Sequence, residues 1–177
     1  PNYNNASGRL HSVHLAGGVL DLGYDLTSEI PWTNGQVGWD VACRNGQLYV
    51  SAPSYGLNEA SGIVWILRNL EQDDGSFAWS INNYLTPPAD VLLSQFGYSV
   101  FTNASRVGVG APGADGNGAV FLYNCSLNDP DFPNFPYLGK FSPDSLTNEA
   151  AYGTDLFIGS TTVIASAPGS DLHGPDH

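Results

Sequence analysis

The sequence predicts an all-β protein built from repeated antiparallel strands, and three observations point there. Apolar runs along the 177-residue chain are short and bounded by Asn-Gly, Gly-Gly, Asp-Gly and Pro clusters, the pattern of strands joined by tight turns. No segment joins a 3.6-residue apolar period to helix caps for more than about ten residues. Finally, VGWDVACRNGQLYVSAP (37–53), FGYSVFTNASRVGVGAP (96–112) and YGTDLFIGSTTVIASAP (152–168) have equal length and align without gaps, so the chain carries an internal repeat.

Each repeat opens on an apolar or aromatic residue followed by Gly38, Gly97 or Gly153, and reaches Ala-Pro at Ala52, Ala111 or Ala167, fourteen residues after that glycine. Two apolar stretches flank a polar turn in each: Arg44-Asn45-Gly46, Thr102-Asn103-Ala104-Ser105 and Gly159-Ser160-Thr161. That is a β-hairpin. After Ala-Pro a polar loop runs to Gly62, Gly118 or Gly174, and the first two glycines lead into the apolar strands IVWIL (63–67) and AVFLY (119–123). A more variable strand follows near Phe77–Tyr84 and Tyr137–Phe141. A complete unit is therefore a four-stranded antiparallel meander, repeating every 56 to 59 residues.

Phe96-Gly97 with Gly110-Ala111-Pro112 matches the FG-GAP signature literally, and Val37-Gly38 with Ser51-Ala52-Pro53 and Tyr152-Gly153 with Ser166-Ala167-Pro168 are close variants. The chain thus resembles the FG-GAP repeat family, the blades of integrin α-subunit propellers. That resemblance covers nearly the whole chain and implies β-propeller blades, usually extracellular, in adhesion or ligand binding. It departs from the family at one point. Many members place a DxDxDG calcium loop between the first two strands, whereas CRNGQ, TNASR and IGSTT carry no carboxylate. No family-type calcium site is expected.

The N-terminal segment fits the second half of a unit. With Pro1 set on the Pro of Ala-Pro, Gly8 takes the loop-closing position, and Leu10 to Val13 fall on Val64–Leu67 and Val120–Tyr123. Gly17-Gly18 then turns the chain into a strand over 19–26. The chain reads as a half-unit (1–26, third and fourth strands), two complete units (37–84 and 96–141), and a half-unit (152–177, first and second strands). Three arrangements complete the divided unit: closure within one molecule as a three-bladed ring, further blades of a longer propeller, or donation of strands 1–26 to the next molecule. In the last, Leu10, His11, Ser12, Val13, Leu15, Val19, Leu20 and Leu22 are the donor residues. Val163, Ile164, Ala165, Ala167, Pro168 and Leu172 form the acceptor. Because that contact is head-to-tail it generates a filament.

Composition narrows the partners. Five basic residues against seventeen acidic ones leave no phosphate-neutralising patch for nucleic acid and disfavour anionic membrane surfaces. No apolar run approaches the ~20 residues that span a bilayer. The absence of Met leads us to expect a processed or excerpted chain, and a secreted one fits. The sequons at Asn5, Asn103 and Asn124 make N-linked glycans the only expected attachment besides the protein itself. Cys43 and Cys125 suit either one disulfide or two buried thiols, and the meander places them where a bridge between neighbouring units is geometrically open. All four histidines (His11, His14, His173, His177) lie in the terminal segments, in no metal-binding spacing, so packing or solvation is their expected role. No catalytic motif occurs. Asp40 and Asp155, matched by Ser99, read as structural, and no enzyme is expected. The reading is an extracellular structural protomer of a head-to-tail polymer. The alternative is a protein- or carbohydrate-binding portion of an integrin-like adhesion propeller, with loops 54–61, 113–117 and 169–173 as its surface.

Overall fold

The structure, a computed structural model, describes residues 8, 10–16, 19–26, 35–44, 46–56, 61–71, 73, 77–91, 93–125, 135–144 and 149–170. It is all-β and antiparallel. The strands are β1 (His11–Ala16), β2 (Val19–Asp25), β3 (Val41–Arg44), β4 (Gln47–Ala52), β5 (Ile63–Glu71), β6 (Phe77–Leu85), β7 (Ser99–Thr102), β8 (Arg106–Ala111), β9 (Ala119–Asn124), β10 (Tyr137–Phe141), β11 (Leu156–Ile158) and β12 (Val163–Ala165). They form two four-stranded sheets, β3-β4-β5-β6 and β7-β8-β9-β10, and two two-stranded sheets, β1-β2 and β11-β12. The terminal pairs lie in separate sheets, with no strand pairing between them among the described residues.

Each repeat folds as the hairpin its sequence predicts. Val41 pairs Val50, Val100 pairs Val109, and Phe157 pairs Ile164. One backbone bond recurs at the base of all three: Gly38 N–H to Ser51 O at 2.9 Å, Gly97 to Gly110 at 3.0 Å and Gly153 to Ser166 at 2.9 Å. In the turn at 103–106, Asn103 Oδ1 accepts from the N–H groups of Ser105 and Arg106, both at 2.9 Å, so the side chain takes over donors the ladder leaves free.

Strand alternation sends successive side chains to opposite faces, and the sheets bury both. Tyr49, Val64 and Ile66 of the first four-stranded sheet pack on Val100, Val107, Val109, Phe121 and Tyr123 of the second. On the second sheet's other face, Val120 and Leu122 pack on Leu156 and Ile158. Val37, Val50, Ile63, Trp65 and Leu67 form a third cluster on the N-terminal side, where Leu10 joins them. Phe96, fully buried, holds its ring 5.4 Å from Phe121 and 6.3 Å from Tyr123. The aromatic of the FG pair is thus a core residue between sheets.

The glycine before the third strand explains the spacing from one sheet to the next. Gly62 bridges Phe96 and Gly118 bridges Tyr152, both in parallel sense, and Gly8 bridges Val37 in the same way. The three have φ of 85°, 89° and 75°, and a Cβ on them would sit 2.0, 2.2 and 2.0 Å from the carbonyl oxygens of Phe96, Tyr152 and Val37. Only glycine permits both the conformation and the approach.

The candidate bridge between Cys43 and Cys125 is not formed. Both are free thiols, Cys43 exposed on β3 and Cys125 buried after β9. The reason is orientation: Cys43 shares its strand face with Val41, exposed on the N-terminal side. Cys125 turns inward, its Sγ 3.5 Å from Tyr49 Oη.

Candidate assembly interface

The first and last sheets of the described residues have two strands each, where the two between them have four. In the complete sheets the second strand pairs the third: Val50 opposite Trp65, and Val109 opposite Phe121. β12 is a second strand whose only partner among the described residues is β11. β1 stands where third strands stand, after a glycine with the same bridge as Gly62 and Gly118, and its only described partner is β2.

Of the residues expected to act as donors, Leu10 immediately precedes β1, is half-buried and joins the first sheet's N-terminal cluster. His11 is exposed at the start of β1. Ser12, Val13 and Leu15 lie in β1 and Val19, Leu20 and Leu22 in β2, with Val13 opposite Leu22 and Leu15 opposite Leu20. A bond from Leu26 N–H to Leu10 O at 2.9 Å closes the base of this hairpin. Of the acceptor residues, Val163, Ile164 and Ala165 form β12, with Ala167 and Pro168 following, while Leu172 lies outside the described residues.

Matched positions show how much of the third repeat is uncovered. Tyr49 is fully buried and Gly108 is buried, yet Ile164 at the same position is 62% exposed. Ser51 is buried and Ser166 exposed; Ala52 and Ala111 are fully buried and Ala167 only half so. Phe157, its ring 4.8 Å from Phe101, keeps half its surface in solvent.

Asp40 explains how one sheet grips the next. Its own N–H donates to Ser51 Oγ at 2.8 Å, its Oδ1 accepts from Val41 N–H at 2.8 Å, and its Oδ2 accepts from Val100 N–H of the second sheet at 2.7 Å. Asp155 repeats the first two bonds, with Ser166 Oγ at 3.0 Å and Leu156 N–H at 2.8 Å. Its Oδ2 has no hydrogen bond to a described residue. In the second repeat the pair is Ser99 and Gly110; Ser99 Oγ donates to Gly153 O of the third repeat at 2.9 Å. Sequence comparison placed these residues as structural but missed the bond from Val100 to Asp40. The linked exchange of Asp/Ser (40/51, 155/166) for Ser/Gly (99/110) was its available signal.

Other titratable groups make hydrogen bonds within the fold. Burial pushes the phenols of Tyr49 and Tyr123 well above their ordinary range. Each stays a donor, Tyr49 to Gln47 Oε1 at 2.8 Å and Tyr123 to Thr86 O at 3.0 Å. The Asp115 carboxylate, which accepts from Lys140 Nζ, raises the lysine's pKa. Among the described residues, no three His, Cys, Asp or Glu side chains converge.

The sequons differ in setting. Asn124 is exposed at the end of β9. Asn103 is half-buried, and its Nδ2 donates to Gly159 O of the third repeat at 2.9 Å. Asn5, His173 and His177 lie outside the described residues. No protein-family model matches the chain, and no curated protein matches it.

Proposed function

We propose that the chain is an extracellular structural protein made of FG-GAP-like propeller blades, and a protomer of a head-to-tail filament. β1 and β2 of one copy complete the two-stranded C-terminal sheet of another, and N-linked glycans decorate the surface. One observation carries this reading: the Gly8–Val37 bridge repeats the Gly62–Phe96 and Gly118–Tyr152 bridges. The N-terminal pair therefore stands as third and fourth strands lacking a first and second, while β11 and β12 are a first and second lacking a third and fourth.

The register follows from the complete sheets. Ala52 faces Ile63 and Ala111 faces Ala119, each one residue after its glycine. By the same rule Ala165 faces His11 of the incoming copy, Ile164 faces Ser12 and Val163 faces Val13. About six ladder bonds at ~1 kcal/mol each stand against an association cost of about 4–15 kcal/mol. β1 alone is marginal, so the hairpin docks with its apolar side chains as one piece.

Electron microscopy of the undenatured chain beside a version lacking residues 1–26 tests this, with circular dichroism to show that the shortened chain retains its sheets. Filaments are expected from the whole chain and none from the shortened one. Compact single particles in both samples sink the proposal. The alternative, a ligand-binding portion of a larger adhesion propeller, draws on the exposed Trp39 ring, 5.1 Å from that of Tyr98. Such a platform suits a carbohydrate or peptide, and single particles that bind a glycan array would favour it.

A further inference from the structure

Strand pairing joins edges, but the terminal sheets also present faces. The face of β11-β12 that carries Ile164 is open, whereas the matching face of the first sheet, carrying Tyr49, is closed by the second sheet. At the opposite end, the N-terminal face of the first sheet leaves Val41 47% exposed and Cys43 exposed. The residues matched to them are better covered: Val100 is 6% exposed, Leu156 7% and Ile158 2%, and Thr102 is half-buried. Each end of the molecule therefore carries half of a contact like the one made between its first and second repeats.

We infer that the Ile164 face of the third repeat seats on the Val41 and Cys43 face of a second copy's first repeat. This rests on the strand-complementation reading, and the geometry follows from it. The donated hairpin already lies against its own first sheet through the Gly8–Val37 bridge and Leu10. When β1 pairs with β12 of another copy, that first sheet is carried over the Ile164 face.

The chemistry of the seat matches the junction between the first and second repeats. Ile164 stands for Tyr49, Val41 for Val100 and Cys43 for Thr102: a large apolar side chain meets a valine and a small residue in both. Asp155 and Ser166 repeat the hydrogen bonds of Asp40 and Ser51, and Asp155 Oδ2 has no hydrogen bond to a described residue where Asp40 Oδ2 holds Val100 N–H. The junction between the second and third repeats is of a different kind. There a Cβ on Gly108 would come within 2.6 Å of Ile158 and 3.0 Å of Leu156, so Gly108 leaves the room that those two side chains fill.

The seat departs from its template at one position. The incoming copy brings Asp40 where the template has Ser99, and that Asp40 already accepts from Val41 N–H at 2.8 Å. Asp155 and Asp40 of the second copy then share one donor, and their like charges oppose the contact. Asp155→Asn keeps the oxygen that accepts from Leu156 and removes the repulsion, so filaments form at a concentration about fivefold lower.

A disulfide trap on the full chain tests the seat. In Ile164→Cys, copper–phenanthroline oxidises the introduced thiol and the facing Cys43 of a second copy: two hydrogens leave and one S–S bond forms. A ladder of covalent multimers is expected on a non-reducing gel, at least tenfold above the unsubstituted chain, and it disappears when Cys43→Ser is added. Cys125 is buried and stays out of the reaction. Filaments without a ladder, or a ladder that survives Cys43→Ser, overturn the seat and leave strand complementation standing. Absence of filaments from the unsubstituted chain overturns the complementation reading and the seat with it, and assigns the open face to another occupant, such as a further unit of a longer chain.

Discussion

At the scale of single residues, Asp40 and Asp155 form a natural experiment. Both cap the strand that follows, but only Asp40 reaches the neighbouring sheet. Hydrogen bonds to a charged group contribute about 1.5–3 kcal/mol each, so Asp40→Ala should lower stability by about 2–4 kcal/mol. Asp155→Ala should lose roughly half of that, because its cap is exposed and its second oxygen has no hydrogen bond to a described residue. Urea unfolding followed by tryptophan fluorescence measures both, and equal losses would refute the inter-sheet role. The structural character of these carboxylates was legible from their matched positions. The partner of Asp40 was not, since a bond to a main-chain N–H sixty residues away leaves no mark on the identity of Val100. The cysteines fail for a related reason: spacing reports which loop a residue is near, and whether Cys43 points out or Cys125 points in depends on strand parity at the packed face.

Among the elements, the hairpins were readable because glycine and Ala-Pro mark their limits and alternation marks their faces. The turns that lead into them were not. Gln36, Gln95 and Ala151 occupy the same position before each repeat with φ of 58°, 54° and 54°, and each carbonyl accepts from the N–H three residues on. Glycine or asparagine would have announced that conformation; glutamine and alanine conceal it, and the surrounding ladder imposes it. Ala151→Gly relieves the strain and should raise stability by about 0.5–1 kcal/mol. A lower urea midpoint in that variant would show that the alanine side chain contributes more by packing than its backbone loses. Strand ends were less legible. β5 runs to Glu71, beyond the apolar run ending at Leu67, because pairing with β6 through Leu70 opposite Ala78 continues after burial has stopped.

For the whole molecule, charge would set the conditions of the proposed assembly. The formal net charge of −12 makes copies repel over a screening length of about 30 Å at 0.01 M salt but only about 8 Å at 0.15 M. Filament mass in a sedimentation assay should therefore rise as salt is raised through that range. A fall would mean that attraction between unlike charges, rather than apolar contact and strand pairing, holds the copies together. The all-β architecture and the two four-stranded sheets could be anticipated because three aligned copies average away the ambiguity of any one. The open faces at the two ends could not, since exposure is a property of what is absent from beside a residue.

The parallel bridges at Gly8, Gly62 and Gly118 also give the molecule a direction. Each step from one sheet to the next has the same sense, so copies joined by the same step all point one way. A filament of the proposed kind would have two dissimilar tips, one always offering a free hairpin and the other always offering an unfilled slot. The tips therefore gain and lose subunits at unequal rates. A cell that supplied the isolated hairpin could stop growth at the slot tip and leave the other end free to lengthen.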